Sequence, residues 1–378
     1  MHKNRTFGTL YKYELLKIFK NKVAVITFMV LFIFTFLQGE FEVSGNVTPE
    51  ALEQYRTLSG RAIDDTLISE LLDATDESGR IVSDSDIAYE DFNDWVCDVI
   101  GYGLSYSDLN ETSLYQERKR TIQEAHELSC LTEAEEGYWA DGESRISKPI
   151  VYHDTVVTAG VLEGTTNLLI MMVVIIATAL SSVFAMETQR KTDPMIRASL
   201  CGNRELYFAK ILAGMSYVLG AILILLGVFY AYIGIRWGFD GMEYAIQTYR
   251  PFSQMALTNL QLAGILIMLT ILGSLLISAF SLFVSCITRN GIAAMAVIIG
   301  THLGLFALSS MIPYGMRALS QFFCLMPATL VSSRLVYEFR LVNAGKLLTC
   351  YQAAPVLYIL MTALFIIIGS IAYDRQVK

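Results

Sequence analysis

The sequence predicts an all-α polytopic membrane protein with six transmembrane helices and a large, mostly helical extracytoplasmic domain between the first and the second. Hydrophobic residues make up 54% of the 378 residues, whereas soluble domains average about 45–50%. Several apolar runs reach the roughly 20 residues that cross a bilayer. Residues 39–158 hold 27 Asp and Glu against 8 Lys and Arg, which leaves 9 acidic and 20 basic residues of the chain's 36 and 28 elsewhere. This segregation indicates an acidic block outside and basic flanks inside.

The N-terminal segment, residues 1–22, is predicted to be a cytoplasmic amphipathic helix along the inner membrane surface, because Phe7–Phe19 carries an apolar and a basic face. Glu14 falls near the apolar face. Its carboxylate either reaches water or forms an ion pair with a basic residue of a neighbouring element. Residues 23–37 form the first span. No small-x-small cleavage site follows it, so we expect this span to be retained.

Residues 38–160 are predicted to form the extracytoplasmic domain, since they contain no apolar run long enough to cross a membrane. Thr48 followed by Pro49 is typical of a helix start. Helical patterns follow around residues 62–72, 86–100, 108–128 and 132–140, and side chains such as Leu67, Trp95 and Trp139 are expected to share a small core.

The remaining spans follow in order. Residues 161–187 form the second span, 211–311 hold the third to fifth, and 355–373 form the sixth, before a cytoplasmic tail at 374–378. In the third span, small residues recur every seven positions and predict a helix-packing seam: Ala213, Gly220, Gly227 and Gly234. Residues 312–354 are apolar but interrupted by Pro327 and Arg334. We expect an outer re-entrant or interfacial segment there, with a crossing as the alternative.

Hydroxyl side chains line one face of the fourth span, and a histidine lies in the fifth. Ser274, Ser278 and Ser281 share that face. They indicate either a packing seam with hydroxyl-to-backbone hydrogen bonds or a candidate substrate path. His302 belongs to the same candidate path, although a neutral, hydrogen-bonded packing role is the favoured interpretation.

Several catalytic motifs are missing from the sequence. It contains no G-x-x-x-x-G-K-[ST] phosphate loop, no H-E-x-x-H and no G-x-S-x-G elbow. We therefore assign no catalytic, cofactor-binding or metal-binding residues, expect no enzyme activity or cofactor in this chain, and expect no nucleic acid among its partners.

A basic loop at residues 188–210 separates the second and third apolar runs. Glu187, Thr192 and the apolar Met195-Ile196 pair, followed by Arg204 and Lys210, resemble the inner loop of the permease subunits of ABC transporters of the second type, the exporter class. The pair Glu14-x-x-Lys17, the span end Tyr373-Asp374-Arg375 and the order of one span, large domain and five spans are also similar to that family. The chain departs from the family pattern at Lys191, Asp193-Pro194 and Cys201-Gly202-Asn203.

The resemblance implies a permease of an ATP-driven exporter in the plasma (inner) membrane, with both termini cytoplasmic. Its partners would be a separate ABC ATPase subunit, which binds ATP and Mg, and a second permease, the same or a related chain. Apart from the resemblance, the large outer domain indicates a substrate handled at the outer leaflet, a peptide or a lipid, and its acidity favours a cationic antimicrobial peptide. The implied ATPase-coupling residues are Glu14, Glu187, Arg190, Lys191, Thr192, Asp193, Met195, Ile196, Arg197, Arg204 and Lys210.

Two other functions compete with transport. A membrane-anchored sensor or scaffold would bind a ligand through its outer domain and need no ATPase. An intramembrane enzyme would need paired polar residues at one depth, whereas the spans offer isolated ones. The loop cations could also serve only to anchor the spans by the positive-inside effect.

Overall fold

The computed structural model describes residues 2–44, 47–76, 79–101, 103–189, 204–309, 311–313, 315–330 and 338–375. Within these ranges the chain is nearly all α, and six helices are long and apolar enough to cross a membrane. The protein is therefore a multi-pass membrane protein. The candidate spans are Lys22–Val43, Val156–Gln189, Arg204–Arg236, Asn259–Thr288, Gly291–Ser309 and Cys350–Arg375.

The helices follow one another in the order α1 His2–Phe19, α2 Lys22–Ser44, α3 Pro49–Tyr55, α4 Asp65–Ala74, α5 Glu90–Ile100, α6 Glu111–Leu128, α7 Glu133–Ser144, α8 Val156–Leu180, α9 Ala185–Gln189, α10 Arg204–Arg236, α11 Asn259–Thr288, α12 Gly291–Ser309, α13 Arg317–Cys324, α14 Pro327–Leu330 and α15 Cys350–Arg375. Two short antiparallel strands, β1 Val342–Asn343 and β2 Leu347–Leu348, form a hairpin before α15. Short 3₁₀ helices lie at Arg56–Leu58, Asp84–Tyr89, Tyr106–Asp108 and Ile246–Thr248.

The helix α11 lies at the centre of the bundle, where it packs against α8, α10 and α15. Close approaches between helices occur where glycine leaves room. A Cβ on Gly164 of α8 would lie 2.2 Å from the Phe229 ring of α10, and one on Gly160 would lie 2.6 Å from Val43 of α2. Lipid-facing positions are apolar on the outer helices, so the bundle is covered by side chains that suit hydrocarbon.

Residues 49–155, termed here the inserted domain, lie at one end of the bundle, which we call the domain end. The helices α4 to α7 occupy the four stretches in which helices were predicted. Asp64 caps α4 by accepting from the Leu67 amide at 3.0 Å. Leu67 and Trp95 belong to the core of this domain. The prediction for Trp139 was wrong, because its side chain packs into the core of the bundle instead.

Buried hydrogen bonds join the inserted domain to the loop between α10 and α11. The Trp95 Nε1 donates to the Gln247 carbonyl at 2.9 Å, and Arg118, 2% exposed, donates to the carbonyls of Pro251 at 2.6 Å and Ser253 at 3.1 Å. The domain and this loop are therefore one packed unit.

The segment that precedes α15 also packs on the inserted domain. Trp139 Nε1 donates to the Phe339 carbonyl at 2.6 Å, and the Leu341 amide donates to Glu135 at 2.8 Å. Arg317 forms an ion pair with the same Glu135 carboxylate. The described part of residues 312–354 thus consists of two short helices, a hairpin and the first turn of α15. Arg317 and the segment at 339–341 contact the inserted domain, whereas Pro327 of α14 lies beside Gly273 in the middle of α11.

Candidate functional site

Four charged side chains meet at the other end of the bundle, the loop end, and we call them the ion cluster: Glu14, Lys17, Glu187 and Lys210. The Lys210 ammonium, with no exposed surface, donates to Glu187 at 2.8 Å, to Glu14 at 3.1 Å and to the Val183 carbonyl at 3.0 Å. Lys17 pairs with Glu14 and lies 3.3 Å from Glu187. All three ammonium hydrogens of Lys210 therefore have acceptors.

Each member of the cluster comes from an element that fixes its position. Glu14 and Lys17 are three residues apart on α1 and so share a face of that helix. Glu187 lies on α9, and Lys210 lies in the second turn of α10. Two positive and two negative charges balance. Such balance is what makes burial of the ions tolerable, because an unpaired ion out of water costs several kcal/mol.

The position of the ion cluster in the chain is as informative as its geometry. Glu187 comes shortly before residues 190–203, and Lys210 comes shortly after them. The elements on either side of residues 190–203 are thus held to each other and to α1 by this ion cluster, in which Lys17 is partly exposed and the other three side chains are buried. A force applied to the loop would reach α8, α10 and α1 through these contacts.

A second set of contacts at the loop end connects α10 with the last helix. Arg204 pairs with Asp374 at 2.9 Å, although the Arg204 side chain is largely exposed. Tyr207 donates to the Ile366 carbonyl at 2.8 Å, and its ring packs against Tyr373 with 5.5 Å between centroids. The exposed ion pair contributes little by itself, so the aromatic contact carries most of this connection.

The structure brings three of the predicted coupling residues into one site: Glu14, Glu187 and Lys210. Glu14 forms the ion pair with another element that was one of its two predicted alternatives. Arg204 lies nearby but pairs with a different helix. The other predicted coupling residues lie outside the described residues: Arg190, Lys191, Thr192, Asp193, Met195, Ile196 and Arg197.

Sequence reasoning did not assign Lys17 to the site. It lies three residues after Glu14, and that spacing alone indicates a shared helix face. Burial lowers its pKa, but the hydrogen bond and charge of Glu14 and the charge of Glu187 outweigh burial, so the pKa of Lys17 is raised. Lys17 is therefore charged at every physiological pH.

The hydroxyl face of α11 is fully buried. Ser274 donates to the Thr270 carbonyl and Ser278 to the Leu275 carbonyl, both at 2.7 Å. Ser281 is equally buried. The bonds of Ser274 and Ser278 are those that the packing interpretation predicts, whereas the buried Ser281 hydroxyl has no hydrogen-bond partner within the described residues. His302 Nδ1 lies 2.9 Å from the Ile298 carbonyl one turn earlier on α12, which fits its favoured packing role.

A second polar cluster lies where the inserted domain meets α8. The Asp154 carboxylate, 2% exposed, is 3.1 Å from His153 Nδ1 and 4.0 Å from Arg56 Nε. Both of its oxygens lack a hydrogen-bond partner within the described ranges, as does Thr158 Oγ1. Burial, the largest effect, raises the pKa of Asp154 to about 6, and the charges of His153 and Arg56 oppose this while that of Asp91 reinforces it.

Comparison of the chain with family models, with curated proteins and with solved structures yields no match.

Proposed function

We propose that this chain is the membrane-spanning permease subunit of an ATP-driven ABC exporter of the second type. A separate ATPase subunit supplies the energy, and two permeases, identical or related, form the substrate path. The observation that carries the proposal is the ion cluster, which joins both ends of the 190–203 loop to α1 through Lys210. A segment that receives a push from a partner needs firm attachments, and the buried contacts of Lys210 with Glu14 and Glu187 support such a role for residues 190–203.

The loop sequence supports a docking role. Met195 and Ile196 form a short apolar pair among charged residues that include Arg190, Asp193 and Arg197. An apolar anchor ringed by charge is a common form of interface hot spot. The ATPase would bind this pair, and closure of the ATPase would move α8 and α10 together.

Orientation follows from the same proposal. The loop end, with both termini, faces the cytoplasm of the cell, and the inserted domain faces outward across the plasma membrane. Arg204 and Lys210 then lie on the side where basic residues concentrate. The acidic domain meets the substrate, a peptide or a lipid, at the outer surface.

Native cysteines provide a direct test of orientation. Cys97 and Cys130 are exposed on the inserted domain, and Cys201 belongs to the basic loop. A membrane-impermeant maleimide added to intact cells should label the two domain cysteines. It should reach Cys201 only after permeabilisation. Labelling of Cys201 in intact cells would mean that the loop faces outward, and no ATPase could then dock on it.

Co-purification tests the partner. The tagged chain should recover an ATPase subunit that contains a phosphate loop, and the double substitution Met195→Asp/Ile196→Asp should abolish that recovery. Leu128→Asp is the matched control, because Leu128 is 70% exposed on the inserted domain, and it should leave recovery unchanged. If the unsubstituted chain recovers no ATPase although its orientation is as expected, the sensor or scaffold function replaces this proposal.

A further inference from the structure

A cavity of about 520 Å³ lies at the domain end, between α7, the 250–258 loop and the nearest turns of α11 and α15. We call it the junction cavity. An adjoining cavity of about 490 Å³ shares Arg145, Ala256 and Leu257 with it. Volumes of this size are typical of small-molecule sites, which often form where domains meet.

The walls of the junction cavity are fixed by buried contacts. Trp139, which lines it, donates to the Phe339 carbonyl. Gly142 lies so close to the loop that a Cβ there would be 2.7 Å from the Gln254 carbonyl oxygen. Buried Arg118 holds two further carbonyls of the same loop. The cavity is thus preformed, and a ligand would not have to order its walls.

The lining changes from apolar to polar along the cavity. Its deep side includes Ile265 and Met268 of α11. Met268 lies nine residues into that helix, which places it about 14 Å below the helix start, and its side chain is 41% exposed. The rim carries Asp141 and Arg145, which form an ion pair with each other. The cavity therefore runs from a charge-balanced rim to the apolar third turn of a helix that is long and apolar enough to cross a membrane.

This lining suits a lipid better than a peptide. A buried peptide needs a partner for every backbone N–H and C=O. Ile265 and Met268 on the deep side supply none, and two polar lining residues are already engaged, Gln254 with His126 and Gln352 with the Thr349 amide. The balanced rim also gives no preference for a cationic peptide. In addition, Tyr351 is one of the lining residues, and its buried hydroxyl has no partner in the part of the chain the structure describes. An ester of a lipid bound next to this residue would supply an acceptor.

We propose that the junction cavity binds one phospholipid with a zwitterionic headgroup, the headgroup at Asp141 and Arg145 and one acyl chain along Met268. That this lipid is the transported substrate rests on the proposed function, and it selects a lipid over a peptide. Binding of the lipid in the cavity requires neither the ATPase nor transport.

Photo-crosslinking tests the binding. The chain alone is reconstituted into nanodiscs of phosphatidylcholine in which a fraction of the acyl chains carries a diazirine, placed either next to the ester or at the chain end, and crosslinked peptides are mapped by mass spectrometry. We expect crosslinks on the peptide that contains Trp139, which belongs to the inserted domain rather than to a span. Crosslinks on α2, where Val30 is 57% and Phe34 52% exposed, report ordinary contact with the bilayer.

Two tryptophan substitutions separate the cavity from the bilayer. Ala256 is exposed and lines the cavity, so Ala256→Trp should fill it without disturbing the fold and lower the Trp139 crosslink at least tenfold relative to the α2 crosslink. Leu260, 62% exposed at the start of α11, is outside the lining, and Leu260→Trp should change nothing.

The outcomes are decisive. Absence of the Trp139 crosslink in the unsubstituted chain, or an equal crosslink in Ala256→Trp, overturns the lipid site. Loss of the crosslink when a cationic amphipathic peptide is added assigns the cavity to a peptide instead. Recovery of the ATPase by Ala256→Trp is expected to be normal, so failure of the lipid site and failure of the permease proposal give different results.

Discussion

Replacing Lys210 by methionine is the sharpest test of the ion cluster. Methionine keeps most of the length of the side chain and removes the charge. Glu14 and Glu187 are then opposed only by Lys17, whose side chain is 47% exposed. At an effective dielectric constant near 20, charges separated by 2.8 Å attract by about 6 kcal/mol. Desolvation offsets much of that attraction. We expect a net loss of about 3–5 kcal/mol in the free energy of unfolding, the usual cost of leaving a buried ion unpaired.

The second half of the test is a double-mutant cycle. Lys210→Met/Glu187→Gln leaves Glu14 and Lys17 as a balanced pair, so it should recover at least about 2 kcal/mol of the loss caused by Lys210→Met. Unfolding in mixed micelles with increasing SDS gives the free energies. Far-UV circular dichroism of each variant before unfolding checks that its helices are intact.

An exposed ion pair serves as the matched control. Lys148 lies 2.8 Å from Glu143, with the Lys148 side chain 46% exposed, and Lys148→Met should cost at most about 1 kcal/mol. If Lys210→Met costs no more than Lys148→Met, or if adding Glu187→Gln deepens the loss, then the buried charges do not hold the loop ends together as argued.

Three further predictions concern other parts of the molecule. Gly164→Leu should destabilise the protein by more than about 2 kcal/mol, because a Cβ at this position would collide with the Phe229 ring. The control Gly220→Ala should be neutral or slightly stabilising, because a Cβ there meets no atom within 4 Å. Unfolding in SDS measures both. The pKa of Asp154 in the folded protein, about 6, lies above its ordinary value of 3.8. The folded state therefore binds this proton more tightly than the unfolded state, and the free energy of unfolding should rise by about 1.3 kcal/mol from pH 7 to pH 5. Asp154→Asn should lose that increment in a pH series of melting curves. Arg118→Lys keeps the charge but loses the two-carbonyl fork, so amide hydrogen exchange in the 250–258 loop should rise, and an unchanged exchange pattern would show that the loop is held by other contacts.

The sequence predicts the spans well, because an apolar run of sufficient length has few alternatives to a helix in a membrane. Helix ends were predicted less well. The first span, expected at residues 23–37, continues as a helix to Ser44, since Glu40 and Glu42 find partners in Tyr232 and Asn167 of neighbouring helices. Such long-range partners are invisible in a local hydropathy pattern.

The small-residue repeat of the third span illustrates a different limit. Gly220 and Gly227 were expected in a packing seam, but nothing lies within 4 Å of a Cβ placed on either. The close approach to α8 comes at Phe229 instead, opposite Gly164. A repeat identifies which residues share a face, whereas the partner helix decides which face is covered, and the partner is set by packing across the bundle.

The charged side chains of the ion cluster fix the relative position of the helices and add little net stability. An apolar set of similar volume would hold the helices about as firmly, since buried ion pairs seldom add net stability over well-packed hydrophobic residues. Apolar contacts are non-directional and tolerate sliding between helices. Lys210, with three acceptors on α1, on α9 and on the Val183 carbonyl, fixes the relative position of these elements, because any displacement leaves a buried charge without its partner. A cluster that fixes the relative position of these elements, without adding stability over apolar packing, is suited to the proposed transmission of a displacement of residues 190–203 to α8 and α10.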